Sequence, residues 1–339
     1  MSDTRATSVL SGKLCPWLLP ALRQLESIHD TQRLGHAWLI AGTEGVGRIN
    51  LALVFADRLL RGAATEPPGL EPAEAVAAMR ERHQPADHHP DLHWLFPEEE
   101  KRTISVEQVR DAAAALTLRS FGGGAKVVVI EPADAMTAAA ANALLKTLEE
   151  PSDDTYLLLL CSQPERLPAT IRSRCQRLNL ARPAPEAIAK WLGSSVADLA
   201  VPCFFNGGAP LRVAAFLSED KPLENNVLSD QLILVSQDKA DPQAVAEGWA
   251  KLDTELVLVW LTRKLHGVVR RRFVLNGSTA VTDPGADTLH NALGELTLRT
   301  LFEQYERSEK LLNQLGTGIN VGLALHALLL GFQPSRGRP

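Results

Sequence analysis

The chain has 339 residues, 45% of them apolar and 22% charged, with a formal net charge of −5. That composition describes a globular protein of two or three domains, and it excludes a disordered chain or one that coats nucleic acid through bulk positive charge. Cysteines at 15, 161, 175 and 203 are too scattered for a disulfide framework or a CxxC metal site, the opening MSDTRATSV lacks signal-peptide features, and no apolar run approaches a membrane span, so a cytoplasmic protein is expected.

Residues 16–34 place Trp17, Leu18, Leu22, Leu25 and Ile28 at helical spacing, which predicts a helix and then a short loop. Residues 36–40 read as a buried strand running into Gly42-Thr43-Glu44-Gly45-Val46-Gly47-Arg48-Ile49-Asn50. Strand, glycine loop, helix is the layout of a phosphate cradle, because glycines let backbone N–H groups approach an anion at a helix N-terminus. The two residues that carry the chemistry of such a loop are changed. Against GxxxxGK followed by Ser or Thr, Arg48 stands for the lysine and Ile49 for the hydroxyl that holds magnesium. Arginine is a bulky fork where a point-charge ammonium is wanted, and isoleucine ligates no metal. Gly42, Gly45 and Gly47 therefore read as turn glycines of a degenerate nucleotide site, with a live ATP site as the alternative.

Residues 61–90 break the composition, with Pro67, Pro68, Gly69 and Pro72 before a short helical piece at 73–82. His83, His88, His89 and His93 lie among Asp87 and Asp91; such side chains suit zinc, but their spacing matches no structural zinc site, so a solvated loop is expected. Ser105-Val106-Glu107-Gln108 reads as a capped helix start, the helix running to about Leu118 before a glycine turn at 122–124.

KVVVIEPADAMTAAAANALLKTLEEP at 126–151 joins a continuous apolar strand to an alanine-rich helix closed by Pro151. Val127 to Ile130 are apolar on both faces, as in the middle of a parallel sheet, and the strand delivers Glu131, Pro132 and Asp134 to the ligand crevice. A working ATPase needs an aspartate for magnesium and an adjacent acid to activate water. Here Glu131 is followed by Pro132, and the second acid is missing. An apolar strand at 156–161 ends at Ser162 and Gln163, either a nucleotide-sensing position or a plain strand end. A short helix then leads through Arg172, Arg174 and Arg177 into a last strand at 176–180.

HAWLIAG at 36–42, ADAMTAAAANALLKTLEEP at 133–151 and LPATIRSRC at 167–175 together resemble the clamp loader subunits of bacterial DNA polymerase III, of the AAA+ class. The likeness is specific up to about residue 200 and rests on helical character beyond it. It implies an α/β fold joined to an all-α one: a RecA-like AAA+ parallel-sheet domain at 1–181, a small helical lid at 182–218 and a C-terminal helical collar at 219–335. Motor subunits of this family keep intact loop and acid motifs, whereas a second, non-hydrolysing kind has degenerate ones. Arg48, Ile49 and Pro132 place the chain with the second kind. Leu211 falls where an active subunit has its nucleotide-sensing arginine, with Arg212 one position away.

The resemblance also implies that Arg174 is an arginine finger, reaching the γ-phosphate of ATP held by a neighbouring motor subunit, with Ser173 and Cys175 at that interface. A guanidinium suits this role because it is always charged and presents a planar fork to the phosphoryl oxygens. Implied partners are the motor (gamma/tau) and delta subunits, the sliding clamp and primed DNA within the complex, with no membrane. Family members usually carry a four-cysteine zinc module where residues 61–90 stand, and those residues contain no cysteine. Neither zinc nor any cofactor of the chain's own is expected, ATP being bound by the neighbour.

In the lid, Pro185 and Pro210 each open a helix. Beyond a polar linker at 218–225, helices are expected at 226–237, 242–252, 254–273, 298–315 and 320–332, with a Gly/Ser/Asp-rich loop at 276–287. Leu298, Leu301, Phe302, Tyr305, Leu312 and Leu315 form one apolar stripe, which serves a ring-forming collar or a bundle core equally. Arg263, Lys264, Arg270, Arg271 and Arg272 gather near a helix C-terminus, where the dipole favours cations; contact with DNA or a partner is the alternative. The favoured function is a non-hydrolysing subunit of the DNA polymerase III assembly that stimulates a neighbour's ATPase and helps load a sliding clamp. A hydrolysing motor subunit and a free-standing DNA-binding module are the competing readings.

Overall fold

The structure is a computed structural model that describes residues 13–31, 34–62, 66–80, 89–98, 101–121, 123–218, 225–273, 286–294, 296–315 and 319–333. The chain divides into two compact units, one holding residues up to Gly193 with Ala209–Ala215, the other Ser194–Gly208 with the residues from Phe216 on. Residues 182–218, the expected lid, contribute to both.

The first unit contains α1 (Leu19–Asp30), β1 (Ala37–Ala41), α2 (Arg48–Arg61), α3 (Pro72–Arg80), β2 (Leu92–Leu95), α4 (Val106–Thr117), β3 (Lys126–Ile130), α5 (Ala138–Glu149), β4 (Thr155–Cys161), α6 (Ala169–Arg172), β5 (Gln176–Asn179) and α7 (Pro185–Leu192). Its five strands form one parallel sheet in the order β2-β3-β4-β1-β5. Successive side chains point to opposite faces, and both faces are buried. Leu39, Val128, Ile130, Leu157 and Leu159 pack with residues of α4 and α5, while Trp38, Ile40, Val127, Val129, Leu158 and Leu160 pack with residues of α1 and α2. Each buried aliphatic side chain contributes roughly 1.5–3 kcal/mol. The register pairs Ala41 with Cys161 and Ile130 with Leu159, so the loops after β1, β3 and β4 open on one edge of the sheet.

Helix α4 starts as its sequence predicts. Ser105 Oγ accepts from Gln108 N at 3.3 Å, and the Gln108 side chain accepts from Ser105 N at 2.9 Å, which satisfies two N–H groups at the helix start. The histidine region differs from expectation. His93 lies on β2, opposite Val128, not in a solvated loop. As an edge strand β2 has a neighbour on one side only, so it carries no long apolar run to betray it. His83, His88 and Asp87 lie outside the described residues, as do Gly122 and most of the expected loops at 218–225 and 276–287.

The second unit takes α8 (Ala200–Asn206), the end of α9 (Pro210–Ser218), α10 (Asn225–Ser236), α11 (Pro242–Trp249), α12 (Thr254–Phe273), α13 (Ala286–Leu293), α14 (Leu298–Gln314) and α15 (Val321–Leu330). Trp249 and Trp260 meet edge to face at 5.7 Å in a core that includes Leu265, Leu301, Leu325, Leu329 and Phe332. The stripe expected on α14 largely holds, with Leu301 buried and Tyr305, Leu312 and Leu315 packed against the core, but Phe302 is exposed and the buried face also includes Gln304, Ser308 and Leu311. Ser308 is accommodated because its Oγ accepts from Thr262 Oγ1 at 2.9 Å and donates to Tyr305 O at 2.7 Å. Arg263, Lys264 and Arg272 serve this unit itself. Arg263 donates to Phe204 O, buried Lys264 lies 4.5 Å from the Phe204 ring centre, and Arg272 donates to Leu296 O and Gly294 O.

Candidate functional site

Two arginines lie on different edges of the first unit. The first is Arg48, the opening residue of α2 just after the glycine loop. Gly42 N donates to Cys161 O at 3.1 Å, fixing the loop to the end of β4. Gly45 and Gly47 adopt φ of 82° and 98°, where a side chain is strained. Their close neighbours are the chain's own atoms. A Cβ at Gly47 would lie 2.8 Å from Leu18 Cδ1, and one at Gly45 would lie 2.7 Å from Arg212 Cγ. Further bonds close the loop from outside: Trp17 Nε1 donates to Val46 O at 2.8 Å and Leu211 N to Gly45 O at 3.0 Å.

Arg48 turns inward and is only 5% exposed, with Nη1 donating to Gly42 O at 3.0 Å and Nη2 3.4 Å from Glu131 Oε1. An ion pair thus joins the loop after β1 to the residue after β3. Ile49 packs beside the core of the α1/α2 face, as does Leu211. Arg212, the neighbour of Leu211, lies 3.9 Å from the Glu44 carboxylate. Asp134 is directed elsewhere: its Oδ2 accepts from Ser162 Oγ at 3.1 Å and Gln163 N at 3.2 Å, so the polar end of β4 is occupied in tying down the segment after Pro132. The two acids have separate partners, and neither belongs to a cluster of three or more potential metal ligands among the described residues. Two features of a magnesium-nucleotide cradle are missing from the loop: the Arg48 fork is bonded to the loop's own carbonyl, and the Ile49 side chain offers no oxygen ligand.

The second arginine is Arg174, in the turn between α6 and β5. Ser173 N donates to Ala169 O at 2.9 Å and Arg174 N to Ile171 O at 3.0 Å, and Ile171 and Cys175 are buried on either side. The backbone under Arg174 is therefore anchored, while its side chain is 37% exposed. Nη1 donates to Thr170 O at 2.9 Å, the same carbonyl that receives Ser173 Oγ at 3.1 Å, and Nη2 lies 2.6 Å from Glu149 Oε1 at the end of α5. Burial pushes the Cys175 thiol up to about 11, which favours the protonated thiol at neutral pH. Reasoning from sequence passed over Glu149. The signal available was an acidic pair, Glu149 and Glu150, at a helix C-terminus, where the dipole disfavours carboxylates.

The region matching the zinc module is held by packing where it is described. Leu70, Ala75 and Val76 are buried, Leu14 N donates to Pro68 O and Leu70 N to Leu14 O, each at 2.9 Å, and Trp191 Nε1 donates to Leu70 O at 2.7 Å. Its donor set does not fit a four-cysteine zinc site, and among the described residues no cluster of three or more potential metal ligands occurs. Among the described residues, no helix is long and apolar enough to cross a membrane.

The parallel sheet, the glycine loop after β1 and the separate helical unit define a RecA-like AAA+ subunit joined to an all-α unit. The family profile for "DNA polymerase III, delta subunit" matches residues 19–184, and that for "DNA polymerase III, delta subunit, C terminal" matches residues 209–333. DNA polymerase III subunit delta′ of Escherichia coli is 31% identical over 323 residues, covering 94% of this chain and 95% of that one. Its counterpart from Pseudomonas aeruginosa is 34% identical over 242 residues, 69% of this chain and 72% of that one. More distantly, DNA polymerase III subunit tau/gamma of Haemophilus influenzae is 28% identical over 221 residues, 60% of this chain and 30% of that one. The chain belongs to the delta′ family of DNA polymerase III, a clamp loader family.

Proposed function

We propose that this chain is a non-hydrolysing clamp loader subunit that lends Arg174 to the ATP site of a neighbouring motor subunit. The observation carrying this reading is the contrast between the two arginines: Arg48 is 5% exposed and bonded inside its own loop, whereas Arg174 is 37% exposed on an anchored turn. Both forks bond a backbone carbonyl and a carboxylate, so burial separates them: at 5% exposure Arg48 has no room to turn out to phosphates, and without a hydroxyl at Ile49 the loop has no ligand for magnesium. An exposed fork on a fixed base can meet charge developing on another molecule.

In this reading Ser173 and Cys175 belong to the interface that presents the finger, and ATP is bound by the neighbour, with neither zinc nor nucleotide held by this chain. The partners are the tau/gamma motor and delta subunits, the sliding clamp and primed DNA. Residues 1–181 act as the AAA+ domain, 182–218 as the lid and 219–335 as the collar that joins the subunits. The test is a loading assay with purified motor and delta subunits, sliding clamp and primed DNA, run with and without this chain, beside ATP hydrolysis by the chain alone. Loading is expected to require the chain, and the pure chain is expected to hydrolyse no ATP. Loading at full rate in its absence, or turnover by the pure chain, contradicts the proposal.

A further inference from the structure

Glu149 is the last residue of α5, and Glu150 follows as its cap. Carboxylates there face the negative end of the helix dipole, so helix stability does not account for them. A partner does account for Glu149: its Oε1 lies 2.6 Å from Nη2 of Arg174. We infer that Glu149 is an intrachain latch that parks the Arg174 side chain, and that the finger acts only after this ion pair opens; the inference rests on the reading of Arg174 given above.

The argument is one of charge. A guanidinium in contact with a carboxylate carries no net charge as a pair, and a carboxylate carried along to a triphosphate would repel it. The pair must therefore separate before Arg174 can stabilise phosphoryl oxygens. Separation is easy, because the two side chains are 37% and 50% exposed and ion pairs in contact with solvent are weak. A triphosphate, with several charges, displaces a single carboxylate. The backbone need not move. Ser173 N and Arg174 N are bonded to Ala169 O and Ile171 O, and Ile171 and Cys175 are buried, so opening is a change of the Arg174 rotamer on a fixed turn. Glu149 is on this account a positioning residue, acting through Arg174 and touching no nucleotide.

The experiment reconstitutes the motor and delta subunits with this chain carrying Glu149→Gln, Arg174→Ala or both, and measures ATP turnover with and without primed DNA. Glu149→Gln is expected to raise DNA-independent turnover roughly two- to five-fold, the range set by a solvent-exposed ion pair, and to shrink the stimulation by DNA in proportion. Glu149→Asp, which keeps the charge, should behave more like wild type. The double variant should match Arg174→Ala alone, which an effect through helix stability would not produce. If Arg174→Ala abolishes the stimulation while Glu149→Gln leaves turnover unchanged or lowers it, the latch is wrong and the finger stands. If Arg174→Ala changes nothing, the finger reading fails and the latch with it.

Discussion

Arg48 and Glu131 make an ion pair whose members are unequally buried, 5% and 15% exposed, and that inequality predicts unequal consequences. Glu131→Gln leaves a guanidinium with little access to water, whereas Arg48→Met leaves a carboxylate that can reach solvent more readily. Each substitution is expected to destabilise the chain by about 1–3 kcal/mol, with Glu131→Gln the more damaging, as denaturant unfolding of the pure chain will show. Equal and negligible effects would mean that the pair holds nothing together. The thiols give a second check. Burial raises Cys15 and Cys161 to about 12 and Cys175 to about 11, so native protein at neutral pH should resist thiol reagents and denatured protein should react fully. Rapid labelling of Cys175 in the native state would show that the turn carrying Arg174 is not anchored as described. At this scale the departures at Arg48, Ile49 and Pro132 from a phosphate-loop and acid pattern were legible, because each is a change of a definite functional group. The partners Arg48 then found were not legible: the sequence does not say that its fork turns back to Gly42 O and Glu131, nor that Asp134 is drawn to Ser162 and Gln163.

Among the elements, those defined by local physics were readable and those defined by their neighbours were not. Strands β1, β3 and β4 are continuous apolar runs and α4 announces its start through Ser105 and Gln108. Ser105→Ala should cost about 1 kcal/mol in thermal unfolding, and a neutral result would remove the capping box from the account. By contrast β2 is a four-residue edge strand between prolines, and α8 contains Pro202, which reads as a break until the structure places it in the first turn, where its missing N–H is not needed. Helix α13 starts just after Pro284, within what composition marks as loop. Glycines separate by the same logic. Gly47→Ala combines a left-handed φ of 98° with contacts to Leu18 and Cys15, and should destabilise by about 1–3 kcal/mol. Gly248→Ala, in α11 with open space around the added Cβ, should stabilise by about 0.5–1 kcal/mol. Unfolding midpoints that move in the same direction for both variants would contradict this assignment.

For the molecule as a whole, the division into an α/β unit and an all-α unit was legible chiefly through the family resemblance, with the apolar strand runs and the helical character of the later residues in agreement. The exact partition was not, since Ala209–Ala215 groups with the first unit although Ser194–Gly208 before it belongs to the second, a grouping decided by packing between segments distant in sequence. The central claim concerns where this molecule's chemistry resides: not in its own glycine loop but at Arg174, acting on ATP held by another subunit. Single-turnover ATP hydrolysis by the reconstituted complex containing Arg174→Ala tests it most directly. The account predicts that the complex assembles normally and that hydrolysis at the site facing this chain slows on the order of 10³-fold or more. Hydrolysis at the wild-type rate at that site, in a complex shown to be fully assembled, would contradict it.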